Sequence, residues 1–457
     1  MLSIKHKGVA GNIGTMSVAL FFAIITWRLS LDAIYVFLIS PTWSYTGLVC
    51  IFDPVRYILA LVIQLLSLGF LNKIVKRNSV SDVGVLLLYL IAFMPGLSVL
   101  SFIPMDLTYY VAFCLFWYML LIFNDRLFFF KGITQSIKNR TGSKRYSQLI
   151  LGLLTIAATI IVLYVSYRYT GFRISLDLFD VYDLRAEARE FDRGVFVTYA
   201  FGACRSLIPA LTALFLVQKR WGVAFFLTII ALLMFSVDGM KASIFAIFAV
   251  YMVFLFFRNR DLNKYVYCFA FLGVLCLVLG VWLHEATIVD SILRRTFYLP
   301  TYLGYGYFDF FSAHELDLYR QGFLGRFGFS SPYDETIAII IGEQYYIGGN
   351  ANSGLLADAF TNFGLLGVIA IPFAVVMIFR ILEACSTGVS NVVVDSCALI
   401  IAYRMMNSFL PTILLTHGVL LLLVFLFFVP RGYLKDDKAR SVRYIKRKPI
   451  YEHTCFN

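Results

Sequence analysis

The chain has 457 residues, of which 60% are hydrophobic and only 14% are charged, whereas about a quarter are charged in an ordinary soluble domain. A water-soluble fold of this length needs more polar surface than this composition supplies, which excludes a cytosolic enzyme, a nucleic-acid-binding factor and a secreted disulfide scaffold. The net charge of +12 is then explained by how basic residues are distributed about a membrane, with no nucleic-acid partner. We predict an all-α, polytopic membrane protein in which residues 1–457 form a single integral membrane domain.

Twelve segments approach the length of about 20 mostly apolar residues that a spanning helix needs. The first, fourth and eleventh are the weakest, because charged side chains lie at or inside their ends (Arg28, Asp106, Asp395 and Arg404). In chain order the predicted spans are 13–30, 56–72, 83–103, 107–123, 147–167, 194–217, 221–237, 240–257, 265–283, 363–380, 391–410 and 412–429.

Lysine and arginine predict the orientation, since cytoplasmic loops carry their excess. With the N-terminus inside, 25 of the 39 basic residues fall in cytoplasmic segments, and 15 of the 27 acidic residues fall in two long outer loops. Both termini are therefore predicted to be cytoplasmic. The tail 430–457 holds eight basic residues; it reads as an ordinary cytoplasmic anchor or as a segment attracted to anionic lipid headgroups.

The first long outer loop, 168–193, is predicted to be periplasmic and holds five arginines and six acids. Its part 183–193 has the pattern of an amphipathic surface helix, in which Arg185 and Arg189 share one face at i,i+4 spacing. The alternative reading is a solvated helix whose charges pair with one another.

The second outer loop, 284–362, is far longer than a connection requires and is too aromatic and apolar to be disordered. The stretches 297–311 and 335–349 carry most of the aromatic and aliphatic side chains. We expect a folded periplasmic cap that dips partly into the membrane. It contains the adjacent arginines Arg294 and Arg295.

Two features lie inside the predicted spans. Arg205 is central in its span, where an unpaired guanidinium costs at least about 2.5 kcal/mol, and Pro209 bends the same helix. The stretch 236–241 (SVDGMK) forms a hairpin between two spans at the outer face. Its Asp238 and Lys241 either neutralise each other or face a ligand.

Shielded arginines on an outer face need anionic partners, and the planar guanidinium suits phosphate. Aromatic walls beside them suit a sugar or an isoprenoid tail, so a lipid-linked sugar pyrophosphate matches both features. Cationic contacts would stabilise the pyrophosphate as a leaving group, and no P-loop or GxGxxG is present to bind a nucleotide. No cofactor is predicted. A metal at the acidic pair Glu315 and Asp317 is the less favoured alternative. Candidate general bases in the cap are His314, Glu315, Asp317, Glu343 and Asp358.

Four local patterns of the chain are similar to stretches of one known family. They are Tyr182-Asp183-Leu184-Arg185; the hairpin 236–243 (SVDGMKAS); Arg294-Arg295-Thr296-Phe297 with Pro300 and Tyr307; and Ala351-Asn352-Ser353-Gly354 followed by 358–367 (DAFTNFGLLG). The stretch 408–418 (SFLPTILLTHG) is a further likeness. On these motifs the chain resembles bacterial O-antigen polymerases of the oligosaccharide repeat-unit (Wzy) type.

The resemblance implies about 12 transmembrane helices, two large periplasmic loops and a GT-C-like glycosyltransferase architecture. It further implies polymerisation of undecaprenyl-pyrophosphate-linked oligosaccharides at the periplasmic face, in lipopolysaccharide biosynthesis. In that reaction the growing glycan passes from its carrier to the non-reducing end of a new unit, without a metal. The implied partners are the lipid-linked oligosaccharide, the lipid bilayer, a chain-length-regulating co-polymerase and a flippase.

Carried over position by position, the resemblance makes Arg185, Lys241, Arg294 and Arg295 the expected pyrophosphate-binding residues. Arg295 also begins an Arg-x10-Gly pattern that ends at Gly306. Asn352 and Tyr307 are the expected sugar-binding residues. His314, Glu343 and Asp358 are the catalytic candidates, with His314 or Glu343 favoured as the general base.

Two rival functions remain open. An O-antigen ligase, or another lipid-linked glycosyltransferase, shares the architecture but transfers glycan onto lipid A core, and ligases use a histidine in the second loop, here represented by His314. A polysaccharide flippase also has about twelve spans, but it should have short outer loops. The 79 residues of 284–362 favour an enzyme over a flippase.

Overall fold

A computed structural model describes residues 16–126, 135–137, 144–175, 182–283, 290–346 and 348–429. Within these ranges all regular structure is helical, with no strand, as predicted from the composition. The chain is a polytopic membrane protein. The predicted basic tail 430–457 lies outside the described residues, as does the start of the first predicted span.

Seventeen helices are numbered here in chain order. They are α1 Val18–Thr46, α2 Pro54–Arg77, α3 Val80–Phe102, α4 Leu107–Arg126, α5 Lys144–Thr170, α6 Tyr182–Glu190, α7 Gly194–Val217, α8 Trp221–Asp238, α9 Lys241–Phe256, α10 Leu262–Leu283, α11 Leu299–Ala313, α12 Ile337–Tyr345, α13 Leu355–Phe363, α14 Gly367–Cys385, α15 Asn391–Met405, α16 Leu410–Leu414 and α17 Val419–Phe428. Wider π-helical turns interrupt α1 at Tyr35–Ile39 and α3 at Tyr89–Phe93, and a third, Asp290–Tyr298, leads into α11.

Nine helices in the described part of the chain are long and apolar enough to cross a membrane. Each of them coincides with one of the predicted spans. The three remaining predicted spans fall on the shorter helices α9, α15 and α17, which have 16, 15 and 10 residues. At about 1.5 Å per residue, α15 extends only about 22 Å, less than the roughly 30 Å hydrocarbon core of a bilayer.

The helices pack as an antiparallel bundle in which successive connections alternate between two faces. α1 packs along α10, α7 packs against both α8 and α9, and α15 lies against α3 and α7. The face on which the described segments 168–175, 182–193, 290–346 and 348–362 lie is called the loop face. The face with the short connections after α2, α7, α9 and α14 is called the tight-turn face.

The tight-turn face is closed by paired charges. Arg77 donates to Asp82 and to Asp125, at 2.5 and 3.1 Å, and Arg260 lies 2.6 Å from Asp395. Asp82 also completes a capping box with Ser79 at the start of α3. These basic side chains therefore have acidic partners within the protein and are not available to a ligand.

A second charged group lies inside the bundle, between α1, α2 and α3, and is also satisfied. Arg28 is 1% exposed, and it donates to Asp32 at 2.9 Å and to Ser101 at 2.7 Å. Asp32 additionally accepts from Ser98 at 2.5 Å and from Tyr57 at 3.0 Å. A guanidinium buried in this way costs little, because a carboxylate and hydroxyl groups replace its hydration.

The two long loops fold on the loop face largely as expected. The predicted amphipathic helix 183–193 is observed as α6, which packs on α8. In the second loop, α11 and α12 enclose a separate apolar core that includes Leu303, Phe310 and Ile341. This cap fixes the backbone of 290–346 above the bundle.

Candidate functional site

The loop face contains a polar region, called the recess, where the hairpin between α8 and α9 meets α7 and the segment 406–418. α8 ends at Asp238 and α9 begins at Lys241, so the chain reverses within the turn formed by Gly239 and Met240. Gly239 has φ +62°, the left-handed conformation that glycine adopts without steric cost. The neighbouring helix α7 begins at Gly194. Arg205, more than two turns further along α7, lies at the level of the hairpin and contacts its Asp238.

The other wall of the recess is the segment 406–418, which returns between α15 and α17 with only the short helix α16 inside it. Ser206 of α7 donates to the backbone carbonyl of His417 at 2.6 Å, and Ser408 contacts His417 Nε2 at 2.8 Å. Irregular backbone at membrane depth is tolerated only when it is buried in protein or lines a polar cavity. This segment therefore brings polar groups into the interior of the bundle.

Four charged or titratable side chains meet there; they are called the recessed cluster and comprise Arg205, Asp238, Arg404 and His417. Arg205 forms a short ion pair with Asp238. Arg404 interacts electrostatically with both Arg205 and Asp238. His417 interacts electrostatically with Arg404 and Arg205. The cluster thus contains two guanidinium groups and one carboxylate.

Arg404 is the least satisfied member of the recessed cluster. It is 4% exposed, yet its Nε and Nη2 have no hydrogen-bond partner in the described residues. Arg205 Nε and His417 Nδ1 are also buried without an acceptor or donor there. Leaving a charged donor buried and unpaired costs on the order of several kcal/mol. These four atoms therefore indicate a place for an anion.

Further cations surround the recess. Arg193, at the start of α7, stacks on Phe191 and Phe201 and lies within electrostatic range of Asp238 and Arg205. Arg185 of α6 donates to the backbone carbonyl of Gly239 at 3.3 Å, which places it over the hairpin. The local field is positive, because Asp238 faces more cations than it can neutralise.

The four predicted pyrophosphate-binding residues separate into two groups. Arg185 and Lys241 lie at the hairpin rim of the recess. Arg295 is exposed, and its charge reaches Tyr403, the neighbour of Arg404. Arg294 lies elsewhere: it is 4% exposed, its guanidinium stacks 3.7 Å from the ring centre of Trp43, and it donates to Tyr346.

The predicted catalytic residues do not converge on one point. His314 is exposed on the cap, where its ring stacks on Phe310 with 4.0 Å between centres and its Nδ1 contacts the Phe310 carbonyl. Glu343 is also exposed. Asp358 is fully buried, and its two oxygens accept from the Leu410 amide at 2.6 Å and from Asn362 at 2.8 Å. A buried carboxylate with hydrogen bonds to both of its oxygens is typical of a structural residue that joins two segments.

The remaining predicted residues also have defined positions. Tyr307 is 1% exposed in the apolar core of the cap, and its hydroxyl donates to the Ala351 carbonyl at 3.0 Å. Asn352 is exposed at the start of the α13 connection. Of the acidic pair considered for a metal, Glu315 pairs with Arg320 at 2.8 Å. Asp317 accepts from Ser331 at 2.7 Å, and the described residues hold no cluster of three His, Cys, Asp or Glu side chains placed to bind a metal ion.

Sequence reasoning placed Arg205 and Asp238 in the membrane but did not assign Arg404, Arg193 or His417 to a site. In the sequence, Arg404 was noted only as a charge that makes a predicted span less secure. It is an arginine inside a predicted span with no acidic residue at helical spacing, and this pattern could have identified it as a site residue.

No family model, no curated protein and no solved structure matches the chain.

Proposed function

We propose that the chain is a glycosyltransferase that polymerises lipid-linked oligosaccharides, an O-antigen polymerase of the Wzy type. The observation that most directly supports this proposal is the buried Arg404, whose Nε and Nη2 have no hydrogen-bond acceptor in the described part of the chain. With Arg205 and the rim cations it forms a binding place for a doubly charged group beneath a cap. A polyprenyl pyrophosphate supplies such a group at the depth that a lipid headgroup reaches.

The orientation follows from the charges on the two faces. On the tight-turn face, basic residues lie in the last turn of α2 (Lys76 and Arg77) and in the short connections after α7 and α9, and such an excess is typical of the cytoplasmic side. The loop face is therefore assigned to the periplasm. This orientation supports the proposal, since in a bacterial inner membrane the recess would then face the side on which repeat units are polymerised.

The reaction that this site supports is a substitution at the anomeric carbon of the donor glycan. A hydroxyl group of the acceptor oligosaccharide forms the new glycosidic bond, the bond from the sugar to the pyrophosphate breaks, and the hydroxyl proton passes to a base. Negative charge develops on the leaving pyrophosphate. Guanidinium groups held in a recess of low dielectric stabilise that charge more strongly than water does.

A reconstituted assay tests the proposal. Purified protein in liposomes is mixed with a polyprenyl-pyrophosphate-linked oligosaccharide, and products are resolved as a ladder on a gel. We expect Arg404→Ala to reduce chain extension at least about a hundredfold, by analogy with loss of one charge-stabilising donor, and Arg404→Lys to restore it in part. Arg173→Ala is the matched control, because Arg173 lies on the loop face, exposed and paired with Glu187 at 2.5 Å.

Three outcomes would overturn the proposal. An unchanged ladder with Arg404→Ala would show that this guanidinium does not bind the carrier. Transfer of one glycan to a lipid A–core acceptor, with no ladder, would indicate a ligase. Passage of the lipid-linked oligosaccharide across the liposome without new glycosidic bonds would indicate a flippase.

A further inference from the structure

A cavity of about 310 Å³ opens on the loop face, apart from the recessed cluster. It lies between the end of α1, the first turns of α11 and the end of α12. Five tyrosines line it, together with Gln344 and two glycines: Tyr45, Tyr302, Tyr305, Tyr345 and Tyr346. Its volume is at the lower end of the range for small-molecule sites.

The polar groups of this tyrosine pocket are neutral, and several are unengaged. The hydroxyls of Tyr45 and Tyr305 and the amide of Gln344 form no hydrogen bond with other described residues. Tyr345 donates to Asp309 at 2.6 Å, and burial, followed by that hydrogen bond, raises the pKa of Tyr345 above its ordinary value. The Tyr345 hydroxyl therefore remains uncharged at neutral pH.

Rings and neutral donors together match a saccharide. A sugar presents apolar CH faces that pack on aromatic rings, and hydroxyl groups that need both donors and acceptors. A phosphate would need cations, and the nearby Arg294 already stacks on Trp43 and donates to Tyr346. An isoprenoid chain would leave the Gln344 amide and the two free hydroxyls without partners.

Two glycines let the backbone approach tyrosines that line the pocket. A Cβ atom at Gly47 would lie 1.8 Å from the Tyr302 hydroxyl oxygen, and Gly47 has φ +93°. A Cβ at Gly306 would lie 3.0 Å from the Tyr345 Cβ. The space beside each glycine is therefore occupied by a tyrosine side chain, and a methyl group at either position would displace that tyrosine from the pocket wall.

The adjacent residues Arg294 and Arg295 connect this pocket to the recess. Arg294 stacks on Trp43 and donates to Tyr346, which lines the pocket, whereas Arg295 lies within electrostatic range of Tyr403, the neighbour of Arg404. Two adjacent arginines of the π-helical segment Asp290–Tyr298 thus lie one near each site. A ligand that spans both would have a charged end and a sugar end.

We propose that the tyrosine pocket is a saccharide-binding site that holds sugar residues of the lipid-linked oligosaccharide while its pyrophosphate occupies the recess. This inference rests on the proposed function, because the proposed function identifies the group in the recess as a pyrophosphate. The recognition of a neutral sugar by the pocket rests on its own residues.

Two probes separate the sites in detergent-solubilised full-length protein. The first probe is the phosphate-free oligosaccharide that mild acid releases from its lipid, and saturation-transfer NMR measures its binding. The second probe is polyprenyl pyrophosphate without sugar, and a binding isotherm measures its affinity. We expect Tyr305→Ala, Gln344→Ala and Gly47→Ala each to weaken oligosaccharide binding about tenfold, and to leave the binding of polyprenyl pyrophosphate unchanged. Tyr45→Phe, which keeps the ring, should retain more binding than Tyr45→Ala.

Arg404→Ala should have the opposite effect, since it removes pyrophosphate binding and spares oligosaccharide binding. Phe329→Ala is the control for an exposed aromatic side chain of the cap, 57% exposed. Unchanged oligosaccharide binding in all the pocket variants would overturn the inference and leave the proposed function standing. Normal oligosaccharide binding with no polyprenyl pyrophosphate binding in the unaltered protein would instead overturn the proposed function. Retained pyrophosphate binding by the pocket variants shows that they are folded.

Discussion

At the scale of single residues, two of the buried arginines, Arg28 and Arg404, show how a ligand site differs from a structural ion pair. Arg28 has a carboxylate and a serine hydroxyl within hydrogen-bond distance. Arg404 is as deeply buried, but two of its nitrogens have no partner in the described ranges. Because desolvating an unpaired charge is costly, an arginine of the second kind indicates a ligand that the protein alone does not provide.

Among the carboxylates, Asp358 is a structural residue by the same criterion, because both of its oxygens have hydrogen-bond donors. Asp358→Asn is expected to lower the free energy of unfolding by about 1–3 kcal/mol, because an amide cannot accept at both the Leu410 amide and Asn362. The rate of chain extension per folded molecule should change little. Thermal unfolding in detergent, with the rate normalised to folded protein, checks this. A normal melting temperature with a large loss of rate would instead assign Asp358 to catalysis, as the sequence predicted.

At the scale of elements, the recess is formed where the α8–α9 hairpin, α7 and the segment 406–418 meet. This segment approaches the backbone of α7 closely at two points, beside Gly202 and at Gly418. Gly418 has φ +74°, and a Cβ there would lie 2.7 Å from the Ala203 Cα and 2.8 Å from the Ala203 carbonyl oxygen. Both contacts are with backbone, which cannot move aside as a flexible side chain can.

Gly418→Ala is therefore expected to displace the segment that carries His417. The strained conformation alone costs about 1–3 kcal/mol, and chain extension should fall with stability. Gly152→Ala is the matched control, because nothing lies within 4 Å of a Cβ at that helical position, where alanine favours the helix by about 1 kcal/mol. Equal melting temperatures for the two variants would contradict the close packing of this segment.

At the scale of the whole molecule, the assignment of the loop face to the periplasm can be tested with a native cysteine. Cys50 is exposed in the connection between α1 and α2 on the loop face. In a Cys455→Ser background, a membrane-impermeant maleimide should label Cys50 in intact cells whose outer membrane has been permeabilised. Labelling only after the inner membrane is opened would reverse the orientation.

The pH dependence of this labelling has a predicted sign. Burial raises the pKa of the Cys50 thiol above its ordinary value, so the reactive thiolate is a small fraction at neutral pH. Labelling should therefore become faster as the pH rises toward that pKa. A pH profile that coincides with the profile of the unfolded protein, whose thiol has its ordinary pKa, would show that the folded thiol is not perturbed in this way. Labelling of an unfolded sample at the same pH values is the reference.

The sequence by itself determined the class of the protein and most of its helices. Composition alone excludes a soluble fold, and apolar runs such as 221–237 or 265–283 predict helices because a bilayer requires internally hydrogen-bonded spans. The amphipathic pattern of 183–193 likewise predicts α6. These features are local, since each depends on residues within one segment.

Only the tertiary structure decided which charged side chains meet. Arg205 and Asp238 are 33 residues apart, Arg404 comes from a third helix and His417 from a fourth segment, so no spacing in the sequence relates them. The same is true of the tyrosine pocket, which α1, α11 and α12 form together. The predicted spans 391–410 and 412–429 are also shorter in the structure: α15 ends at Met405 and α17 begins at Val419, because the largely irregular segment 406–418 lies between them.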